Sequence, residues 1–211
     1  MKYNLHTHSF KDQIGVLEIV NQYPLELDEK IPYFSIGIHP WYIKEEEIDI
    51  ELKIIEEKLV LQNCLALGEC GLDKRIETKY DLQLQVFEKQ LELAKKYKKP
   101  LILHCVSAFQ EVIGLKKEMQ IEEPIIIHGF SKNIQVAKSL LDNGFYLSFG
   151  KYLIRNPELA LVFNYIPDDC FFLETDTIEE TIEEVYEKAS MIKKKNVESL
   201  IEANFIKVFQ L

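Results

Sequence analysis

At 211 residues the chain is long enough to bury one sizeable core, and 47% apolar with 28% charged residues argues against a disordered, collagen-like or disulfide-stapled protein. Twenty-five basic against thirty-five acidic residues leave a net charge of −10, which repels long polyanions over the general surface; attraction for a phosphate ester then has to come from a local site. The longest apolar stretches, such as Pro124 to Ile127, are of strand length, no basic-then-apolar leader opens the chain, and Cys64, Cys70, Cys105 and Cys170 form no C-x-x-C pattern. The expectation is a cytoplasmic protein with reduced thiols and no membrane span.

In chain order, Tyr3 to His8 and Gly15 to Asn21 read as strands, and Ser9 to Ile14 between them is too short for a helix. Pro24 to Pro32 reads as loop before a strand at Tyr33 to His39. From there strands and helices alternate. Glu45 to Leu61 is helical, Cys64 to Cys70 strand, Thr78 to Lys98 helical, Pro100 to Val106 strand and Ala108 to Glu118 helical. Then come a strand at Pro124 to Phe130, a helix at Ile134 to Leu141 stopped by Asn143-Gly144, and strands at Phe145 to Lys151 and Cys170 to Asp176. Helices at Ile178 to Lys194 and Val197 to Phe209 close the chain. Repeated β-then-α units predict a parallel sheet, and eight strands predict a distorted (β/α)8 TIM-like barrel with reduced helices between the first three strands. No linker or composition shift divides the chain, so residues 1–211 are read as one domain.

The five histidines, His6, His8, His39, His104 and His128, all fall at or near the C-terminal ends of expected strands, where barrel enzymes gather their chemistry. His6 and His8 are two residues apart on a strand and point the same way, which suits one metal ion. Glu69 and Asp176 each close an apolar run, and a carboxylate so buried needs a counter-charge. Imidazoles and carboxylates together suit zinc, manganese, nickel, cobalt or iron, and magnesium less comfortably.

Asn4-Leu-His6-Thr-His8, Gly37-Ile-His39-Pro40-Trp41, Gly68-Glu69-Cys-Gly71-Leu72-Asp73, Pro100-Leu-Ile-Leu-His104-Cys105, His128-Gly-Phe130-Ser131 and Glu174-Thr175-Asp176 resemble, in order, the motifs of the TatD family of metal-dependent hydrolases. The resemblance runs from about Tyr3 to the Asn204-Phe205 segment. It implies a TIM-like barrel with two divalent metal ions and deoxyribonuclease or related phosphodiesterase activity. His6, His8 and Asp176 would hold one ion, Glu69 would bridge, and His104 and His128 would hold the other. His39 would lie beside the metals as a substrate contact. Asp176 is the expected base that orients and deprotonates the attacking water, and Glu69 fixes the ions.

The chain departs from the family pattern in places. Asn4 stands where members usually have Asp, Val106-Ser107 follows strand five where many carry a basic residue, and Ile178-Glu179-Glu180 replaces a Pro-rich loop. Candidate substrate contacts are the only two arginines, Arg75 and Arg155, as phosphate clamps, and Trp41, whose ring could stack on a nucleobase. Single-stranded or frayed DNA ends are the expected polymer. The alternative readings are a small ester, amide or phosphomonoester at the same centre, and a non-catalytic metal-binding protein.

Overall fold

A computed structural model describes residues 1–210 of the protein. Eight strands succeed one another in chain order in the sheet: β1 Lys2–Thr7, β2 Val16–Gln22, β3 Phe34–Ile36, β4 Cys64–Asp73, β5 Leu101–Val106, β6 Ile125–Ile127, β7 Phe145–Phe149 and β8 Phe171–Leu173. The helices are α1 Ile48–Leu59, α2 Tyr80–Tyr97, α3 Phe109–Glu118, α4 Ile134–Asp142, α5 Lys151–Arg155, α6 Leu159–Tyr165, α7 Ile182–Lys193 and α8 Glu198–Phe209. This is the expected β/α barrel class. No helix joins β1 to β2, and a single 3-10 turn at Pro24–Glu26 joins β2 to β3. Among the described residues no helix is long and apolar enough to cross a membrane.

Three strands are shorter than their apolar runs suggested. The backbone leaves the ladder at Ile36, Ile127 and Leu173, before His39, His128 and Asp176, so these side chains stand on the turns that follow. Positive φ at Gly129 (57°) and Asp176 (52°), and Pro40 after His39, break the extended geometry there. In contrast, β4 runs three residues beyond Cys70, to Asp73. The run expected to be strand through Lys151 ends at Phe149, and α5 and α6 follow where none was expected.

The chain forms two compact units, Asn21–Ile125 on one hand and Met1–Val20 with the described residues from Ile126 onward on the other. In the 21–125 unit, β3, β4 and β5 pair in parallel, with Phe34 opposite Cys64 and Gly71 opposite His104. Its core is mostly aliphatic: Ile36, Ile55, Leu59, Leu67, Leu91 and Leu103 are buried with Phe87. In the other unit, β1 pairs with β2, β7 with β8, and a bridge from Thr7 to Asp176 returns the chain beyond β8 to β1. Aromatic rings dominate that core, where Phe149, Phe163 and Phe171 stack edge-to-face at 4.9 Å spacing.

Candidate metal centre

His6 lies inside β1 and is fully buried, while His8 stands just beyond the strand and is partly exposed. The Asp176 N–H donates to the His6 carbonyl (2.9 Å), and the His8 N–H donates to the Asp176 carbonyl (3.2 Å). These two bonds fix the register that brings the side chains together. Asp176 Oδ1 is 3.4 Å from His8 Nε2 and 3.7 Å from His6 Nε2, and one donor atom from each residue lies within 4.8 Å of the others. The His128 ring packs 4.6 Å from His6.

Behind this cluster stand two buried groups. Glu174 Oε1 accepts from the Gly129 N–H (2.7 Å) and lies 3.5 Å from His128 Nδ1. A Cβ at Gly150 would fall 2.5 Å from the Glu174 carbonyl oxygen, so glycine is needed there for the chain to pass. Asn4 uses both ends of its amide: Oδ1 accepts from the Thr175 N–H (3.0 Å), and Nδ2 donates to Thr175 Oγ1 (2.8 Å) and Glu18 Oε1 (3.4 Å). An aspartate could accept but not donate, and would face Glu18 as a like charge. The asparagine therefore belongs with the carboxylate beside it.

In the 21–125 unit, Glu69 projects from β4 and is almost fully buried. Its N–H donates to Asn21 Oδ1 (2.7 Å). Glu69 Oε1 is 3.1 Å from His39 Nε2 and 3.3 Å from His104 Nδ1, and these three residues form a second donor cluster within 4.8 Å. His39, expected beside the metals as a substrate contact, stands inside this cluster. A Cβ at Gly71, where φ is 136°, would lie 2.0 Å from the His104 carbonyl oxygen; only glycine allows β4 to approach β5 so closely.

Asp73 is the supporting residue that sequence reasoning carried only as a letter in a motif. Its Oδ2 lies 3.2 Å from His104 Nε2 and accepts from Trp41 Nε1 (2.8 Å), and its Oδ1 accepts from the Arg75 N–H (2.8 Å). Burial by itself would raise this carboxyl, but the bonds from Trp41, Arg75 and His104 outweigh it and hold the group below the usual aspartate range. Two buried glutamines seven residues apart on α2 hold the loops beneath. Gln83 accepts from the Asp73 N–H (2.8 Å) and donates to its carbonyl (3.0 Å), and Gln90 does the same at Ile38 (2.8 and 3.2 Å), next to His39. A visible signal existed: both amides sit on the face of α2 that buries Val86, Phe87, Leu91 and Ala94.

The substrate candidates fare differently. Trp41 is half exposed with its indole N–H engaged by Asp73. Arg75 is exposed. Arg155 ends α5 and forms a two-pronged pair with Glu180, both bonds 2.7 Å long. The four cysteines carry no disulfide, and burial pushes the Cys64 thiol up to about 12.

Each cluster presents imidazole nitrogens and a carboxylate oxygen from strands and the turns that follow them, a donor set that fits a divalent transition metal. Residues 4–210 match the family described as TatD related DNase. The chain is 34% identical over 151 residues to YabD of Bacillus subtilis and 32% over 149 residues to YcfH of Escherichia coli, both described as uncharacterized metal-dependent hydrolases. Those matches cover 68% of this chain but 58% and 55% of the relatives, so the chain spans little more than half the length of the curated relatives it matches. The crystal structure of YjjV, a TatD homolog from Escherichia coli, superposes with a TM-score of 0.85 at 21% identity, covering 100% of this chain and 98% of that one. A TatD-family hydrolase from Entamoeba histolytica gives a TM-score of 0.79 at 15% identity, covering 99% and 97%. With the family matched along nearly its whole length and its fold shared from end to end, the chain belongs to the TatD family of metal-dependent hydrolases.

Proposed function

We propose that residues 1–211 form a single hydrolase domain that cleaves phosphodiester bonds, with single-stranded or frayed DNA ends as substrate and two divalent ions as cofactors. The observation that carries this reading is the pair of histidine–carboxylate clusters, one in each unit. In the proposed assignment His6, His8 and Asp176 hold one ion, His104 and His128 hold the other, and Glu69 serves both. When bound, such ions neutralise developing charge on the phosphoryl oxygens and make water acidic enough to react near neutral pH.

The chain's own residues supply orientation and proton handling. Asp176, 28% exposed at the open side of its cluster, is placed to orient a water and take its proton on a carboxylate oxygen. Glu174 and Asp73 orient His128 and His104, fixing which ring nitrogen is offered. His39 and Trp41 border the substrate side, and Arg75 is the freer of the two candidate phosphate clamps, because a phosphate at Arg155 has to compete with Glu180. That pairing and the acidic surface favour, as a second reading, a small phosphomonoester, ester or amide at the same centre.

A metal-by-substrate screen tests both readings: single-stranded DNA, duplex DNA, RNA and small esters with each of zinc, manganese, nickel, cobalt, iron and magnesium, after the metal in the purified protein is measured. Cleavage of single-stranded DNA ahead of all others is expected. Turnover of small esters alone would select the second reading, and inactivity in every arm of a metal-loaded sample would leave a metal-binding protein.

A further inference from the structure

Within the 21–125 unit a cavity of about 450 Å³ lies next to the Glu69 cluster, at the smaller end of the range for small-molecule sites. Tyr23, Trp41 and Tyr42 line it, with Tyr23 edge-on to Tyr42 at 5.4 Å. Trp41 and Tyr42 are each 53% exposed, an unusual outlay of aromatic surface at one spot. The His39 ring is 5.2 Å from Trp41 and 5.4 Å from Tyr42, so two rings that line the cavity also pack against a member of the cluster.

The cavity also receives Glu51 from α1. The buried positions of α1 are Ile48, Glu51, Ile55 and Leu59, a stripe at helical spacing in which a carboxylate replaces the apolar residue that packing alone would select. Glu51 is 8% exposed, and its Oε2 has no hydrogen-bond partner in the protein. A buried carboxyl oxygen left this way costs stability unless something else satisfies it. Glu26 and Glu47 also line the cavity against one cation, Lys44, so phosphate is repelled and a planar, uncharged ring bearing N–H groups is favoured.

We propose that this cavity is the subsite for the nucleobase flanking the cleaved bond, with the ring against Trp41 and Tyr42 and the Glu51 carboxyl on a base edge that carries a donor beside an acceptor. The assignment rests on the phosphodiester reading for its place in catalysis. Burial, followed by the negative charge of Glu47, pushes the Glu51 carboxyl up to about 7, with Lys44 opposing. Glu26 and the hydroxyls of Tyr23 and Tyr42 share the cavity with it. A protonated carboxyl donates to one base acceptor and accepts from the donor beside it, a pairing that adenine and cytosine offer through ring nitrogen and amino group and thymine through carbonyl and N3–H, and that a methyl group on thymine N3 removes.

Trp41 is the chain's single tryptophan, so its emission reports occupancy of the cavity directly. The full chain is titrated with deoxyadenosine, deoxycytidine, thymidine and N3-methylthymidine, none of which carries a phosphate, with and without added manganese. Saturable quenching by the three natural nucleosides in the millimolar range is expected, with N3-methylthymidine about tenfold weaker, the worth of one or two hydrogen bonds. Glu51→Leu should reduce all of them to the N3-methylthymidine level. Glu51→Gln, whose amide keeps one donor and one acceptor, should retain the preference and lose the weakening that wild type shows between about pH 6 and pH 8. Equal affinity for N3-methylthymidine, unchanged binding in Glu51→Leu, or no saturable response to any nucleoside would overturn the assignment. Cleavage of diesters without nucleoside binding would sink the subsite and keep the hydrolase; nucleoside binding by a metal-loaded chain that cleaves nothing would do the opposite.

Discussion

The two histidine–carboxylate clusters share a donor set and differ in their surroundings. In the 21–125 unit, Glu69, His39 and Asp73 are almost fully buried, and each ring nitrogen of His104 faces a carboxylate. In the other unit only His6 is sealed, His8 and Asp176 are about a quarter exposed, and these three lean on backbone bonds and the neutral Asn4 amide, the Glu174 carboxylate reaching only the neighbouring His128. A sealed, carboxylate-backed site holds an ion tightly and resists exchange, whereas an open one admits water and substrate. Under the proposed function, this difference predicts slower exchange of the ion at His104 and proton transfer at Asp176.

The largest effect expected from this division is at the open cluster. Asp176→Asn should keep at least one ion, because the amide oxygen can still coordinate, yet lose roughly two to four powers of ten in turnover. Metal content and single-turnover cleavage on the same preparation decide it: near-normal cleavage by a fully metallated variant removes Asp176 from proton transfer. Glu69→Ala comes next and probes whether the clusters are independent. Lowered affinity for both ions, with a cooperative thermal transition close to that of metal-free wild type, is expected if Glu69 serves both; an ion retained in full by His6, His8 and Asp176 would restrict Glu69 to its own unit.

Asp73→Asn should act on one cluster alone. Removing the carboxylate behind His104 should weaken metal binding there about ten- to a hundredfold and leave the His6–His8–Asp176 group unaffected, which competition with a chelator can resolve into two phases. Loss from both phases equally would mean that the clusters share their support. The smallest effect belongs to Glu51. Its folded pKa of about 7 exceeds the ordinary 4.5, so the folded state holds the proton more tightly and stability falls as pH rises between those values. Glu51→Gln should therefore melt a few degrees above wild type at about pH 8 and close to it at about pH 4. A gap that is the same at both pH values would show that the charge on Glu51 is not the cause.

Ladders and ligand candidates were legible because their signals are local. An apolar run ending in His or a carboxylate marks a strand to within a few residues of its end, although His39, His128 and Asp176 stand on the following turns and Glu69 lies inside β4, and His6 with His8 gives the facing by simple alternation. What escaped was set by contacts distant in sequence. Gln83 and Gln90 read as polar positions on an amphipathic helix until Asp73 and Ile38 are seen docked on them. Arg155 looked available for phosphate because Glu180, its partner, lies 25 residues on. The α5 and α6 helices were hidden for a different reason: five residues carry no periodicity to read, and Leu-Ala-Leu-Val-Phe in α6 is apolar on every side.

The division of the chain also has a consequence for the order in which it can fold. Asn21–Ile125 is one uninterrupted segment, whereas the other unit joins Met1–Val20 to residues that begin at Ile126. The bonds from Asn4 to Thr175 and from Tyr3 to Tyr186 span 171 and 183 residues. Closing so large a loop costs entropy that grows with its logarithm, about 0.6 kcal/mol per doubling, and the cost falls sharply if the intervening stretch is already compact. During synthesis the middle segment is complete well before its flanks can meet. The open cluster, built from both ends of the chain, is then the last part of the site to assemble, whereas His39, Glu69 and His104 all lie in the segment that is complete before the flanks can meet.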